Sequence, residues 1–374
     1  MSSTNKYFPG LNGLRFIAAV MVMIGHIEMV KSFADLPNFD SIPFIGQMGD
    51  SGVTLFFVLS GFLISFLLLQ EKENKGKIEV FRFYMRRLIR IWPLYYLMIF
   101  LAFFVLPFIL SLPGYANVRS GNYFSPALTE NLFFLPNLAM VSFPAVPFCV
   151  HLWSIGVEEQ FYFFWPLIIR FKKIKPPVLF VGVILLVIIV RKIFYILRDS
   201  PSAKHTNWEW LSRAAEFFSY FPIECMAIGG LGAWWLFRNL QGRKIIFHPA
   251  VEVGSYLVSL SIMSMKMENH LTLKHLLISI GFIIIILNLS SNPSAIVKLR
   301  GRVPDYLGKI SYGVYIFHFT ALGIAWHFLQ SVQAPFWLIN SSLYLLSFGI
   351  TFLLAGCSYR YFESPILKWK ERFR

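Results

Sequence analysis

Long apolar runs alternate with short polar segments along almost the whole chain of 374 residues. A helix needs about 20 mainly apolar residues to cross the hydrocarbon core of a bilayer. Ten runs come close enough to this length that we expect each of them to form a membrane-spanning helix. They occupy residues 14–30, 51–70, 91–111, 154–170, 176–191, 217–238, 248–265, 271–290, 307–329 and 336–356. The pattern therefore predicts an all-α, polytopic membrane helical bundle.

A further apolar stretch, residues 131–150, does not fit this pattern. Three prolines interrupt it, and two asparagines lie within it. Proline removes a helical hydrogen bond, whereas a helix exposed to lipid has to satisfy every backbone group internally. We therefore predict an interfacial or re-entrant segment here, and not an eleventh span.

The composition and charge support a membrane protein and indicate its orientation. Apolar residues make up 56% of the chain and charged residues 14%, against roughly 25% charged in soluble domains. A net charge of +15 would suggest a nucleic-acid partner for a soluble chain, but cytoplasmic loops of membrane proteins are enriched in lysine and arginine. With ten spans and both termini in the cytoplasm, 24 of these residues face the cytoplasm and nine face the opposite side. We therefore predict this orientation, with membrane lipids and not nucleic acid as the surrounding partner.

No internal repeat and no polar stretch long enough for a second domain interrupts the spans. We expect a single membrane-embedded domain over residues 1–374, with no appended soluble domain. The three cysteines lie in or beside apolar segments without metal-ligand spacing. Neither a disulfide framework nor a metal site is predicted.

Arg15 and His26 are the first candidates for chemistry, because both lie in the first predicted span. Eleven residues of α-helix place them roughly 20° apart on one face and roughly 16 Å apart along the axis. Ionisable groups within a membrane usually face the bundle interior or a wet cavity. The alternative is a helix-end arginine and a histidine that only bonds a neighbouring helix.

A second histidine lies at a comparable depth in the ninth predicted span. Ser311, Tyr315 and His318 follow one another at i, i+4 and i+7 and form one polar stripe. A neutral imidazole can remove a proton from a hydroxyl as the hydroxyl attacks an ester or thioester. We expect His318 to share a cavity with His26, although a packing contact for Tyr315 is the simpler alternative.

An arginine stripe follows the second span. Arg82, Arg86 and Arg90 are spaced at i, i+4 and i+8, with Arg87 beside them. Guanidinium groups bind phosphates bidentately, and this loop is predicted to face the cytoplasm. The stripe is therefore a candidate site for a phosphorylated donor, and its alternative role is an anchor to anionic lipid.

A polar face enters the fourth span from the opposite side. It consists of His151, Trp153, Ser154, Glu158, Glu159 and Tyr162. Carboxylates, hydroxyls and flanking aromatic rings can hold a sugar, so we assign this face to an acceptor; the alternative is a structural helix cap. Ser60, next to Gly61 in the second span, is expected to serve close helix packing, with a supporting role beside the site.

Several motifs occur in an order that resembles acyltransferase family 3, the integral membrane O-acyltransferases of bacterial envelope glycans. They are Phe8-Pro-Gly-Leu-Asn-Gly-Leu-Arg15 with His26, Phe57-Val-Leu-Ser60-Gly-Phe, Arg86-Arg87-Leu-Ile-Arg90-Ile-Trp-Pro, Trp153-Ser-Ile-Gly-Val-Glu158-Glu159-Gln-Phe-Tyr, Ser311-Tyr312-Gly-Val-Tyr315-Ile-Phe-His318 and Tyr361-Phe-Glu363-Ser-Pro365. The resemblance implies a bacterial inner-membrane enzyme that uses an acyl-CoA donor and a carbohydrate acceptor on the exported side.

On this basis we expect the transfer of an acyl group, most simply acetyl from acetyl-CoA, to a carbohydrate hydroxyl. His26 and Arg15 are the predicted catalytic residues, and no metal is expected. His26 could act as a general base or could itself be acylated, since both routes need a neutral imidazole. A transporter or flippase of a glycan, lipid or acyl carrier is the main alternative, because buried ionisable residues also mark translocation pathways. A membrane scaffold without catalysis is a third possibility.

Overall fold

The computed structural model describes residues 8, 10–115, 124–170, 175–200, 209–267 and 271–373. Within these residues the chain is helical and contains no strand. Ten long helices, numbered here α1 to α10, form the bundle. Their bounds are Gly10–Phe33, Met48–Lys75, Val80–Phe104, Trp153–Arg170, Pro176–Arg198, Ile223–Phe237, Pro249–Met263, Leu271–Ser291, Arg302–Leu329 and Phe336–Ser358.

Each of the ten predicted spans falls on one of these helices, but they are not equally suited to cross a membrane. Among the described residues, six helices are long and apolar enough by length and composition: α1, α2, α3 with its extension to Ile109, α5, α8, and α10 with its extension to Phe373. Helices α6 and α7 have 15 residues each, which is roughly 22 Å and shorter than the hydrocarbon core of about 30 Å. The structure thus supports six spans, and the count of ten and the cytoplasmic termini stay predictions.

The proline-rich stretch 131–150 forms no continuous helix, as the sequence predicts. It contains the end of a short helix, Phe124–Leu132, a second short helix, Pro136–Ser142, and the start of a 3-10 turn, Val150–Leu152. Gln160 of α4 donates from Nε2 to the Asn137 side chain at 2.9 Å and to the Phe134 carbonyl at 2.9 Å. These bonds fix the stretch against the end of the bundle from which α4 begins.

Close packing between α2 and α6 brings two backbones almost into contact. A Cβ atom on Gly61 would lie 1.9 Å from the Met226 carbonyl oxygen, and one on Gly229 would lie 2.2 Å from the Val58 carbonyl oxygen. Small residues allow this approach between membrane helices, where packing and not water exclusion drives association. The expectation that Gly61 serves close packing is therefore confirmed by the geometry.

Helices α1 and α9 lie side by side and run in the same direction. Near their first residues, Asn12 donates to the Asp305 carboxylate at 3.3 Å. Nearly four turns further along, His26 and His318 contact each other. Because residue numbers rise together in both helices, the two histidines predicted at similar depth meet in the bundle.

Two pairs of buried, oppositely charged side chains lie elsewhere in the bundle. Arg191 binds both carboxylate oxygens of Glu224, at 2.7 and 3.2 Å, and Lys31 binds Glu28 at 2.7 Å. A buried charge that lost its partner would cost several kcal/mol. These pairs therefore fix the helix ends where they occur.

We expect Gly61→Ala to destabilise the protein by about 3 kcal/mol, because the added methyl group overlaps a backbone carbonyl that cannot move alone. Gly182→Ala on α5 is the matched control, since a Cβ there meets no atom within 4 Å. The measurement is the free energy of unfolding of both variants in mixed micelles. Equal stability of the two variants would show that α2 and α6 do not approach this closely.

Candidate active site

A cavity of about 90 Å³ lies between α1, α2, α3, α4 and α9. It is lined by Arg15, Phe56, Phe57, Ser60, Arg87, Arg90, Ile91, Ser154, Ile155, Glu158, Tyr162, Ser311, Tyr312 and Tyr315. The lining carries three guanidinium groups and a single carboxylate. Such a surface favours an anionic or strongly polar ligand.

Glu158 is held firmly on one wall of this cavity. Ser60 donates to its Oε1 at 2.7 Å, and the Tyr162 hydroxyl contacts both its Oε2 at 3.0 Å and the Ser60 hydroxyl at 3.1 Å. Both carboxylate oxygens thus have hydroxyl partners. The carboxylate lies near enough to Arg15 and Arg87 to interact with them electrostatically.

The arginines of the cavity have few partners of their own. Among the described residues, neither Arg15 nor Arg90 has a hydrogen-bonded acceptor, and the Arg87 Nε atom is buried without one. Arg87 instead lies over the rings of Phe83 and Tyr162, at 5.6 and 5.7 Å from their centroids. Guanidinium groups with unused donors are suited to bind an incoming anion.

A larger groove of about 690 Å³ adjoins the cavity, and Arg87 belongs to the walls of both. It is lined by Leu67, Leu68, Gln70, Glu71, Asn74, Lys75, Phe83, Arg86, Arg87, Leu367, Lys370 and Glu371. We call this the arginine groove. An elongated ligand could therefore lie with one end in the arginine groove and the other in the cavity.

Two histidines form a hydrogen-bonded pair beyond the cavity. His318 Nδ1 lies 2.6 Å from the Tyr315 carbonyl oxygen, and His318 Nε2 lies 2.7 Å from His26 Nδ1. A carbonyl only accepts, so Nδ1 of His318 carries the hydrogen, and in the neutral ring Nε2 is then an acceptor. His26 Nδ1 therefore donates to it, which leaves the His26 Nε2 atom with the lone pair. The backbone carbonyl thus sets the tautomer of both rings.

A third histidine connects this pair to the cavity. The His151 ring centroid lies 4.7 Å from that of His318, and its Nε2 contacts the Ile316 carbonyl oxygen at 3.1 Å. The Tyr315 hydroxyl donates to the His151 carbonyl at 2.9 Å and lies 2.6 Å from the Ser154 hydroxyl. Tyr315 and Ser154 line the cavity, whereas none of the three histidines is part of its lining.

The predicted arginine stripe divides into three environments. Arg90 reaches the inner cavity, whereas Arg86 lines the groove and donates to the Phe373 carbonyl at 2.8 Å. Arg82 is exposed and lies 3.3 Å from Glu79. The pKa of Glu79 is lowered, mainly by its hydrogen bond from Lys75. The stripe is therefore not one phosphate-binding face, because successive turns of α3 meet different neighbours.

The predicted acceptor face is also divided, and its expected separation from the arginines is wrong. Ser154, Glu158 and Tyr162 line the same cavity as Arg15, Arg87 and Arg90. The reason is that the cavity extends along α4. It therefore brings together residues that the sequence assigns to opposite sides of the membrane.

The other members of that face lie elsewhere. Glu159 accepts from Trp92 Nε1 at 3.0 Å, and Trp153 packs against the rings of Phe57 and Tyr220. His151 belongs to the histidine cluster described above. Glu159 is thus turned away from the cavity lining and serves helix packing between α3 and α4.

Sequence reasoning missed two residues of the site, Tyr312 and Lys370. Tyr312 lines the cavity and donates to the Ile91 carbonyl at 2.9 Å. Its neighbour Ser311 was selected by helical spacing, and the spacing i, i+3 from Tyr312 to Tyr315 would have indicated the same face. Lys370 lies near the end of the chain, outside the predicted spans, so its position could not be counted along a membrane helix.

A group that could hold a metal ion lies apart from this site. Glu224, Cys225 and His275 are buried, and their ligand atoms lie within 4.8 Å of one another. Glu224 is already paired with Arg191, and His275 Nε2 contacts Asp50 at 3.1 Å. The Glu224 carboxylate and the His275 Nε2 atom are therefore already engaged in an ionic network between helices.

Comparison with known proteins identifies the class. The model of the acyltransferase domain matches residues 8–358, so the chain belongs to this membrane acyltransferase family. It is 27% identical over 387 aligned positions to the peptidoglycan O-acetyltransferase OatA of Listeria monocytogenes, covering 98% of this chain and 56% of that protein. It is 25% identical to the O-acetyltransferase OatA of Staphylococcus aureus, covering 97% and 58%. The chain thus spans little more than half the length of these relatives, and no solved structure matches it.

We expect nuclear magnetic resonance of the 15N-labelled histidine rings to show His26 as the Nδ1–H tautomer at neutral pH. The His318 Nε2 lone pair dictates this, although free imidazole side chains favour Nε2–H. In His318→Phe the acceptor is lost, and His26 should revert to Nε2–H. His327→Gln, at an exposed site near the end of α9, should leave the His26 signals unchanged. A wild-type His26 already in the Nε2–H form would contradict the assigned chain of hydrogen bonds.

Proposed function

We propose that the protein is a membrane O-acyltransferase that moves an acetyl group from acetyl-CoA to a hydroxyl of an envelope carbohydrate. The observation that carries this proposal is the His26–His318 pair, fixed by the carbonyl of Tyr315, a residue that also lines the cavity with the three arginines. A candidate general base is thus connected through Tyr315 to a surface suited to an anion, and transfer from a phosphorylated thioester needs both.

The donor would lie along the arginine groove and the cavity. Arg87 and Arg90 have donors free for its phosphates, since they lack acceptors among the described residues. Arg15 lies further in and is eleven residues from His26 on α1, or roughly 16 Å along the helix. An extended pantetheine arm can cover such a distance. The thioester would then reach the histidines while the phosphates stay with the arginines.

The histidine pair supports direct transfer with His26 as general base. The acceptor hydroxyl gives its proton to His26 Nε2 while its oxygen attacks the thioester carbonyl carbon. The carbon–sulfur bond then breaks, and the coenzyme A thiolate takes the proton back from His26. During this cycle His26 keeps its Nδ1–H bond to His318, so the ring stays oriented while its charge changes. Acylation of His26 Nε2 is the alternative use of the same lone pair.

The acceptor is assigned from relatives and from the geometry together. The Listeria relative is named a peptidoglycan O-acetyltransferase, so a glycan hydroxyl outside the cytoplasmic membrane is the acceptor class we propose. His151, whose carbonyl accepts a hydrogen bond from the Tyr315 hydroxyl, and Trp153 at the start of α4 are the residues we assign to acceptor binding. The 24-to-9 distribution of basic residues supports a cytoplasmic arginine groove and an exported acceptor.

The first test is His26→Ala in sealed vesicles that contain the purified protein in known orientation. We expect transfer of labelled acetyl from acetyl-CoA to a glycan acceptor to fall by a factor of 10² to 10⁴, the usual contribution of a positioned base. His327→Ala is the matched control, because that exposed histidine has no contact with the cavity. Wild-type rates from His26→Ala would remove His26 from the mechanism.

The same vesicles test the direction of transfer. With donor supplied on the face of the arginine groove and acceptor on the other, product should form without coenzyme A crossing the membrane. Efficient transfer with both substrates restricted to the groove side would contradict the exported acceptor while leaving the base assignment intact.

A further inference from the structure

The last residues of the chain form one wall of the arginine groove. After α10 the chain continues through Ser364–Leu367 into a 3-10 helix, Lys368–Phe373. A 3-10 helix has three residues per turn, so Lys370 and Phe373 share one face. Leu367 and Lys370 line the groove, and Glu371 reaches its rim. Lys368 and Arg372 are exposed on the other faces.

Arg86 anchors this terminal helix to α3. Its Nη1 donates to the Phe373 carbonyl at 2.8 Å, while Nη2 lies 3.3 Å from Glu71. The side chain of Arg86 is therefore already engaged on both sides. Its role is to position the terminal helix, and Lys370 is brought into the groove as a consequence.

Lys370 lies near four arginines, of which only Arg86 forms an ion pair with a carboxylate among the described residues. It interacts electrostatically with Arg86, Arg87, Arg90 and Arg15, and it has no hydrogen bond or ion pair with any residue that the structure describes.

Of the two carboxylates at the groove, Glu71 is paired with Arg86, and Glu371 is exposed at the rim. Like charges held together in a half-buried groove repel one another unless a polyanion lies between them. The groove is therefore incomplete without a ligand that carries several negative charges.

We propose that Lys370 binds a phosphate group of the donor, and that the terminal helix is a structural part of the donor site. This inference rests on the function proposed above and extends it to a segment beyond the residues 8–358 that match the acyltransferase domain. A lysine ammonium is a compact charge on a flexible stem, which suits the terminal phosphates of a nucleotide. The arginines of the cavity would then hold the phosphates nearer to the thioester.

The test is the dissociation constant of coenzyme A, measured by titration calorimetry on the full chain in neutral detergent. We expect Lys370→Gln to weaken binding by roughly tenfold, the effect of one lost charge-assisted contact. Lys370→Arg should stay within about threefold of wild type, because a guanidinium also binds phosphate. Lys368→Gln, two residues earlier on an exposed face, is the matched control and should bind like wild type. Pantetheine, which lacks the nucleotide and the diphosphate, should bind all four proteins equally.

Three outcomes would overturn the role of Lys370, and a fourth would overturn the proposed donor. Unchanged affinity for coenzyme A in Lys370→Gln would remove the lysine from the site, and an equal loss for pantetheine would show a merely structural role. Loss of coenzyme A binding in wild type when phosphatidylglycerol is added would identify a lipid headgroup as the ligand. If wild type and Arg87→Gln alike fail to bind coenzyme A, the proposed donor itself is wrong, and this result is distinct from a failure of Lys370 alone.

Discussion

An ionisable side chain inside an apolar helix bundle is stable only when another group compensates its charge, and this constraint organises the whole structure. Arg191 has Glu224, and Lys31 has Glu28. These pairs lie apart from the cavity and fix helices. In the cavity the compensation is incomplete, since three arginines line it with Glu158 as the single carboxylate. We propose that a negatively charged ligand supplies the missing compensation, so that the rule that stabilises the bundle would also define the binding site.

The proposed chemistry depends on the parallel packing of α1 and α9. Because these helices rise together, a histidine from each meets the other at 2.7 Å, and the Tyr315 carbonyl fixes which nitrogen carries a proton. Because this hydrogen-bond acceptor is a main-chain carbonyl, no side-chain substitution at position 315 removes it. The Tyr315 hydroxyl meanwhile bonds the His151 carbonyl and contacts Ser154. One residue therefore connects the base to the end of the cavity.

The helices and the histidine pair could be predicted from the sequence, because apolar run length and helical rise are local properties. His26 and His318 were placed at similar depths by counting residues from each helix end. The partition of the arginine stripe could not be predicted, since it depends on which neighbour α3 meets at each turn. Glu158 was assigned to the far side because depth along one helix does not reveal a cavity that several helices share. Lys370 lies on a 3-10 helix. Its residues repeat every three positions, and α-helical spacing does not reveal that period in the sequence.

The central claim is that one continuous site holds the donor phosphates at the arginines and the thioester at the histidines. Cryo-electron microscopy of the protein with a non-hydrolysable acetyl-CoA analogue tests it most directly. The account predicts the diphosphate in contact with Arg87 or Arg90, the pantetheine arm in the cavity, and the acyl carbonyl beside His26 with room for a hydroxyl at Nε2. An analogue bound with its acyl group remote from His26, or with its phosphates outside the arginine groove and the cavity, would contradict the account.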